Sequence, residues 1–141
     1  MIQGDSSQTE REEIILETRE DLTNFLINTE YEYTILKFYA DWCRPCKAIA
    51  PFVDQVIEEK IRLLDEQGLK KRFIFIEVDV DECFDLYAFL KRKKRINGIP
   101  SIFLYSKSVY SKLDTNEIFI PQGCVSGTKE GEIRKVLDYI K

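Results

Sequence analysis

Residues 34–51 read Thr34-Ile35-Leu36-Lys37-Phe38-Tyr39-Ala40-Asp41-Trp42-Cys43-Arg44-Pro45-Cys46-Lys47-Ala48-Ile49-Ala50-Pro51. Apart from Lys37, the run Thr34 to Ala40 is β-branched, aromatic or apolar, the composition of a short strand. Further on, Ala48, Ile49, Phe52, Val53, Val56, Ile57, Ile61 and Leu64 recur at three- and four-residue spacing. That pattern predicts a helix of roughly five or six turns with one apolar stripe, and Gln67-Gly68 supplies its stop. The cysteine pair therefore sits where a strand gives way to the first turn of a helix.

A C-x-x-C pair either grips a metal with two further ligands or cycles between dithiol and disulfide. Placement at a helix start favours cycling, because the unpaired N–H groups of the first turn and the positive end of the macrodipole favour thiolate over thiol. Arg44 lies between the sulfurs in sequence and Lys47 follows them, so the local field lowers the thiol pKa further. Cys43 is read as the attacking sulfur. Cys46, three residues on and on the same helical face, is the less exposed resolving thiol. Pro45 is tolerated in a first turn and stiffens the small ring. Two inert buried thiols would not need this setting. A zinc site would need more ligands, yet the chain has no histidine, and Cys83 and Cys124 lie far from the pair without C-x-x-C spacing of their own. No metal is expected.

With 141 residues, 44% of them hydrophobic, the chain is expected to form one domain over residues 14–141 with a real core. Residues 1–13 are polar and acidic without apolar periodicity, and are expected to form a disordered tail. A net charge of −4 gives no general attraction to nucleic acid or anionic membrane. No apolar run approaches the length of a membrane span, and no signal or transit peptide is visible. Four cysteines are too few for a disulfide scaffold and suit a reducing compartment, so a cytoplasmic setting is expected, or an organellar one if a leader precedes this chain.

In chain order, Ile14-Ile15-Leu16 reads as a short first strand, and Thr18 with Asp21 as an approximate capping signal. The helix that follows would bury Leu22, Phe25, Leu26 and Tyr33 and end at Asn28-Thr29-Glu30. Phe73 to Val80 is an almost continuous apolar run, the mark of a strand buried on both faces and crossing the middle of the sheet. Asp81 to Lys94 reads as a helix with Phe84, Leu86, Ala88, Phe89 and Leu90 partly on one side. Strands are expected at Ile99–Tyr105 and, after a polar turn from Ser106 to Asn116, at Glu117–Pro121. A turn at Gly127–Gly131 leads to a last helix from Glu132 to Lys141, burying Ile133, Val136, Leu137 and Ile140. The order β-α-β-α-β-α-β-β-α describes an α/β fold, a central mixed β-sheet flanked by helices.

From about Thr34 onward the chain resembles the thioredoxin family. FYADWCRPCKAIAP resembles that family's active-site signature, VDVDEC the end of its third strand, and NGIPS its cis-proline loop. Trp42 before the pair, Lys47 after it, Pro51 and the distant Ile99-Pro100 make the match specific. The resemblance implies the thioredoxin fold, with a cis Ile99-Pro100 bond packed against the disulfide and the Ile99 backbone pairing with extended substrate. On base rates the X-Pro bond would be trans. Trp42, Arg44, Pro45, Ile99, Pro100 and Gly123 would form the substrate surface, with Gly98 and Gly123 letting backbone approach closely. The hairpin tip is long for this family.

Lys37 departs from that pattern. The family usually has an aspartate at this place beneath the cysteines and a lysine on the neighbouring strand, where this chain has Glu77. One reading is a half-buried ion pair. The other is that Glu77 serves as proton acceptor while Lys37 stabilises thiolate, raising the pair's oxidising tendency. Cys83 reads as a core or edge thiol at the start of a helix, with a regulatory role as the alternative, and Cys124 as a candidate for glutathionylation or a mixed disulfide. The basic run Lys91 to Arg95 would offset a helix dipole, with docking of acidic partners near the Pro100 loop or a nuclear signal as alternatives.

These readings converge on a protein dithiol-disulfide oxidoreductase acting in electron transport and cell redox homeostasis. It would bind no cofactor, use a redox-active Cys43–Cys46 disulfide, and receive electrons from an NADPH-dependent, thioredoxin-reductase-like donor. Its partners would be disulfide-containing protein substrates, without nucleic acid or membrane, and it would act as a monomer. The alternative is an interaction module on the same fold with weak or no redox turnover.

Overall fold

The computed structural model describes residues 14–69 and 72–141; the expected tail, residues 1–13, lies outside them. The described elements follow the order α1 (Arg19–Asn28), β1 (Tyr33–Tyr39), α2 (Arg44–Glu66), β2 (Phe73–Asp79), α3 (Phe84–Arg92), β3 (Ser101–Ser106), α4 (Lys107–Tyr110), β4 (Gly123–Ser126) and α5 (Glu130–Leu137). The strands form one sheet in the order β2-β1-β3-β4. β1 and β2 run parallel, and β3 is antiparallel to both β1 and β4, so the sheet is mixed as expected.

Alternation along the strands divides the core into two layers. Leu36, Phe38, Ile74, Ile76, Phe103 and Tyr105 meet Leu22 and Leu26 of α1 and Leu86, Phe89 and Leu90 of α3, and both Cys43 and Cys46 lie in this layer. Ile35, Phe73, Phe75, Ile102 and Leu104 meet Ile49, Val53, Val56 and Ile57 of α2 and Ile133 and Leu137 of α5. Phe38 and Phe103 are fully buried and meet edge-on at 5.0 Å. Burial of each such side chain contributes about 1.5–3 kcal/mol.

α1 begins with a complete capping box: the Asp21 amide donates to Thr18 Oγ1 at 3.1 Å, and the Thr18 amide returns a bond to Asp21 Oδ2 at 3.1 Å. α2 continues through Pro51, which has no N–H to offer the preceding turn.

Several expected boundaries shift. Ile14–Leu16 joins no strand; Leu16 plugs the first layer, and the Glu17 carbonyl accepts from the Leu86 amide, so side-chain burial and a tie to α3 take the place of strand pairing. Among the described strands β2 is outermost, beside β1. Tyr33 opens β1 instead of lining α1, and Ala48 and Phe84 face outward. The fourth strand is Gly123–Ser126, not Glu117–Pro121. Ahead of it the chain folds into α4 and a 3-10 turn at Thr115–Glu117. Side chains that reach inward decide that arrangement. Tyr110, 2% exposed, donates to the Leu26 carbonyl at 2.6 Å, Tyr105 donates to the Phe119 carbonyl at 2.7 Å, and Ile118 is buried. The Glu32 carboxylate accepts from Ser106 Oγ and from the Ser108 amide, both at 3.1 Å. Burial alone would raise the Glu32 pKa, but these bonds outweigh it and hold the carboxyl below its ordinary value.

Candidate redox-active site

The site is assembled at the C-terminal ends of the parallel strands β1 and β2. β1 ends at Tyr39, and Cys43 serves as the N-cap of α2 in an extended conformation. Its Sγ accepts the Cys46 amide at 3.2 Å, one of the first-turn donors that has no partner within the helix. The same donor, with the end of the macrodipole, is placed to stabilise negative charge on Cys43 sulfur after reduction. Cys43 and Cys46 are joined in a disulfide with their Cα atoms 5.3 Å apart. In this oxidised state the two are almost equally buried, 4% and 3% exposed, so the expected contrast in exposure is not seen. The reason is shared packing, since both lie in the first apolar layer.

Trp42 is 69% exposed, and its indole Nε1–H donates to Asp81 Oδ2 at 2.9 Å. Asp81 is itself placed by a bond from its amide to Asp79 Oδ1 at 2.9 Å, and the Val80 amide donates to the Tyr39 carbonyl, so the turn after β2 is tied to the end of β1. Arg44, Pro45 and Lys47 are exposed beside the pair.

The Ile99–Pro100 bond is cis. Phe38 of β1 pairs with Ser101, so Pro100 falls at the end of β1 from which the cysteine loop departs. Ile99 packs against the apolar layer that holds both cysteines. Three bonds fix this loop: Ser101 Oγ donates to the Gly98 carbonyl at 2.7 Å and lies 2.8 Å from Ser126 Oγ, and the Gly127 amide donates to the Pro100 carbonyl at 3.0 Å.

Gly123 does not share this corner. It pairs with Leu104, three residues along β3 from Ser101, and an added Cβ would meet Leu104 Cβ at 3.4 Å and Val136 Cγ1 at 3.5 Å. Its lack of a side chain serves packing of β4 against β3 and α5. The glycine beside Pro100 is Gly127, whose φ of +96° suits glycine. The Gly127–Gly131 turn signal contained it, but only the register of β4 identifies its neighbour. A Cβ on Gly98 would meet open space, so no close approach operates there.

Lys37 and Glu77 are register partners on β1 and β2, with Nζ to Oε2 at 3.7 Å. The lysine side chain is 5% exposed and the glutamate 42%. Lys37 alternates with Ile35 and pairs with Ile102, which places it on the face covered by α2, the helix the cysteines begin. Cys83 caps α3 from within the first layer, and burial, then the nearby Glu82 and Glu17 charges, push its thiol up to about 11. Cys124 is exposed on β4, with partial burial of its thiol raising its pKa. Lys91 to Arg95 are exposed, and Lys91 and Arg92 close the last turn of α3. Among the described residues no cluster of three or more His, Cys, Asp or Glu side chains converges as a metal site would require.

The family model Thioredoxin matches residues 13–117. Thioredoxin-1 of Caenorhabditis elegans is 36% identical over 107 residues, covering 75% of this chain and 71% of that protein. Thioredoxin of Echinococcus granulosus is 29% identical over 103 residues, 73% of each. Among solved structures, Plasmodium falciparum thioredoxin superposes with a TM-score of 0.59 at 20% identity, covering 90% of this chain and 98% of that one. Fasciola hepatica thioredoxin does so with 0.57 at 21% identity and the same coverage.

Proposed function

The chain belongs to the thioredoxin family and is a protein dithiol-disulfide oxidoreductase, and from that premise we propose the roles of its site residues. The observation that carries the proposal is the Cys43–Cys46 disulfide across the first turn of α2, with a backbone amide aimed at Cys43 Sγ. In the reduced protein, Cys43 thiolate attacks one sulfur of a substrate disulfide; a mixed disulfide forms and a substrate thiolate leaves. Cys46 then loses its proton and attacks Cys43 Sγ, releasing the second substrate thiol and closing the pair. The substrate gains two electrons and two protons. Trp42, Arg44, Pro45 and Ile99 form the docking surface, the buried Pro100 shapes the loop behind it, and Gly127, not Gly123, stands beside Pro100. Lys37 and Glu77 tune the pair through charge on the face of the sheet beneath α2.

The oxidised pair is returned to the dithiol by a thioredoxin-reductase-like protein that draws on NADPH, which makes the chain a carrier in electron transport. It works as a monomer in a reducing compartment, the cytoplasm; the two free thiols Cys83 and Cys124 favour that setting.

Turnover of insulin disulfides with excess dithiothreitol tests the core of this reading. Wild type is expected to catalyse the reduction and Cys43→Ser to lose it, while Cys46→Ser is expected to accumulate the mixed disulfide. Equal turnover by wild type and Cys43→Ser would reject the assignment.

A further inference from the structure

Away from the cysteines, α1, α3 and the segment before β4 enclose a surface groove of about 510 Å³. It is lined by Arg19, Glu20, Thr23 and Asn24 of α1, Phe89 and Lys93 at the end of α3, and Thr115, Asn116 and Phe119 ahead of β4. Phe89 and Phe119 meet edge to face at 5.0 Å and form an apolar floor. Two cations on the lining lie against the Phe89 ring, the Arg19 guanidinium carbon 5.0 Å from its centre and Lys93 Nζ 5.9 Å, and the Arg92 guanidinium carbon is 5.9 Å from the same ring. Among the described residues the one carboxylate on the lining is Glu20, bound to Arg19 at 3.3 Å. The Phe119 wall falls beyond the residues matched by the family model, which ends at residue 117.

We propose that this groove docks an acidic peptide segment of a protein partner, one that places an apolar side chain against Phe119 and carboxylates against Arg19 and Lys93. Clustered cations over a desolvated apolar floor satisfy charge complementarity with such a segment, and the hydroxyl and amide groups of Thr23, Asn24, Thr115 and Asn116 suit a peptide backbone. The volume matches a few side chains. Nucleic acid fits less well, because Phe89 is only 6% exposed and offers no face on which a base could stack. Trp42, Cys43, Cys46 and Pro100 take no part, so docking here is separable from the thiol chemistry.

The probe is the pentapeptide acetyl-Asp-Glu-Phe-Asp-Glu-amide titrated into isotope-labelled protein, with amide shifts recorded by NMR. Saturable binding below about 1 mM is expected, with shifts centred on Arg19–Asn24, Phe89–Lys93 and 115–119. The exposed variant Lys93→Glu is expected to weaken binding about tenfold, and Arg19→Ala by a similar factor, with insulin turnover retained in both as proof of folding. Lys93→Glu alone carries the test if Arg19→Ala folds poorly. Absence of saturable binding, shifts centred on Trp42–Cys46, affinity unchanged in Lys93→Glu, or tighter binding of oligothymidylate to the same residues would each overturn the proposal.

Discussion

Trp42 and Asp81, 39 residues apart in sequence, are joined by an indole-to-carboxylate hydrogen bond of 2.9 Å. The bond sets the orientation of the most exposed aromatic ring beside the disulfide from the turn that follows β2. Asp81→Ala is expected to free the ring and lower kcat/KM for insulin about three- to tenfold, the range of one solvent-exposed hydrogen bond. Turnover of a small disulfide such as oxidised lipoamide, too small to use the tryptophan, is expected to stay within about twofold of wild type. An equal loss on both substrates would mean the bond acts on the cysteines and not on docking.

The Lys37–Glu77 pair is asymmetric, one partner almost fully buried and the other half-exposed at 3.7 Å. Removing the carboxylate leaves a buried cation without its counter-charge, so Glu77→Gln is expected to cost about 1–2 kcal/mol in urea unfolding, less than a fully buried pair would. Lys37→Met, an apolar side chain of similar length, is expected to cost less than about 1 kcal/mol. Lys37→Asp is expected to make the cysteine pair more reducing and to slow release of the mixed disulfide, because a cation that favours thiolate is lost. An unchanged reduction potential and resolving rate would leave the pair with a structural role alone.

The two remaining thiols differ in accessibility. Iodoacetamide at pH 8 on the oxidised protein is expected to add one carbamidomethyl group, at Cys124, and to reach Cys83 only after denaturation; peptide mass spectrometry reads both. Cys83 has a folded pKa raised from 9.0 to about 11, so the neutral thiol supports the fold fully below about pH 9 and that support is lost as pH rises through about 11. Thermal melts of wild type and Cys83→Ala across that window are expected to converge as pH rises.

Tyr110 anchors the segment between β3 and β4. Tyr110→Phe keeps the packing but leaves the Leu26 carbonyl without its donor, and is expected to cost about 1–2 kcal/mol. Burial, then the Glu32 charge, push its phenol up to about 12, so its support holds below pH 10 and fades as pH rises toward 12. The Tyr110→Phe melting curve is expected to lack that alkaline step.

The order of elements around Trp42–Lys47 was legible because each stretch carried a period matching its structure: β1 and α2 fall within a residue or two of their expected bounds. The cysteine pair was legible from its position at the handover between the two. What escaped was set by contacts between distant residues. Ile14–Leu16 is apolar enough for a strand, but Leu16 packs as a plug and the backbone goes to α3. Glu117–Pro121 has strand composition, yet Ile118 and Phe119 pack against α1 and α3, while the four less apolar residues Gly123–Ser126 find the free edge of β3. Gly123 and Gly127 are indistinguishable by composition, and only strand register shows which one stands beside Pro100.

β2 carries the run Phe73-Ile74-Phe75-Ile76, four consecutive buried apolar residues. When a chain unfolds and exposes them, runs of this composition stack into fibrils. Glu77 interrupts the run one residue later with a half-exposed carboxylate. An in-register parallel copy would bring two of these carboxylates within about 5 Å of each other. The carboxylate that faces Lys37 thus also opposes in-register stacking of unfolded copies.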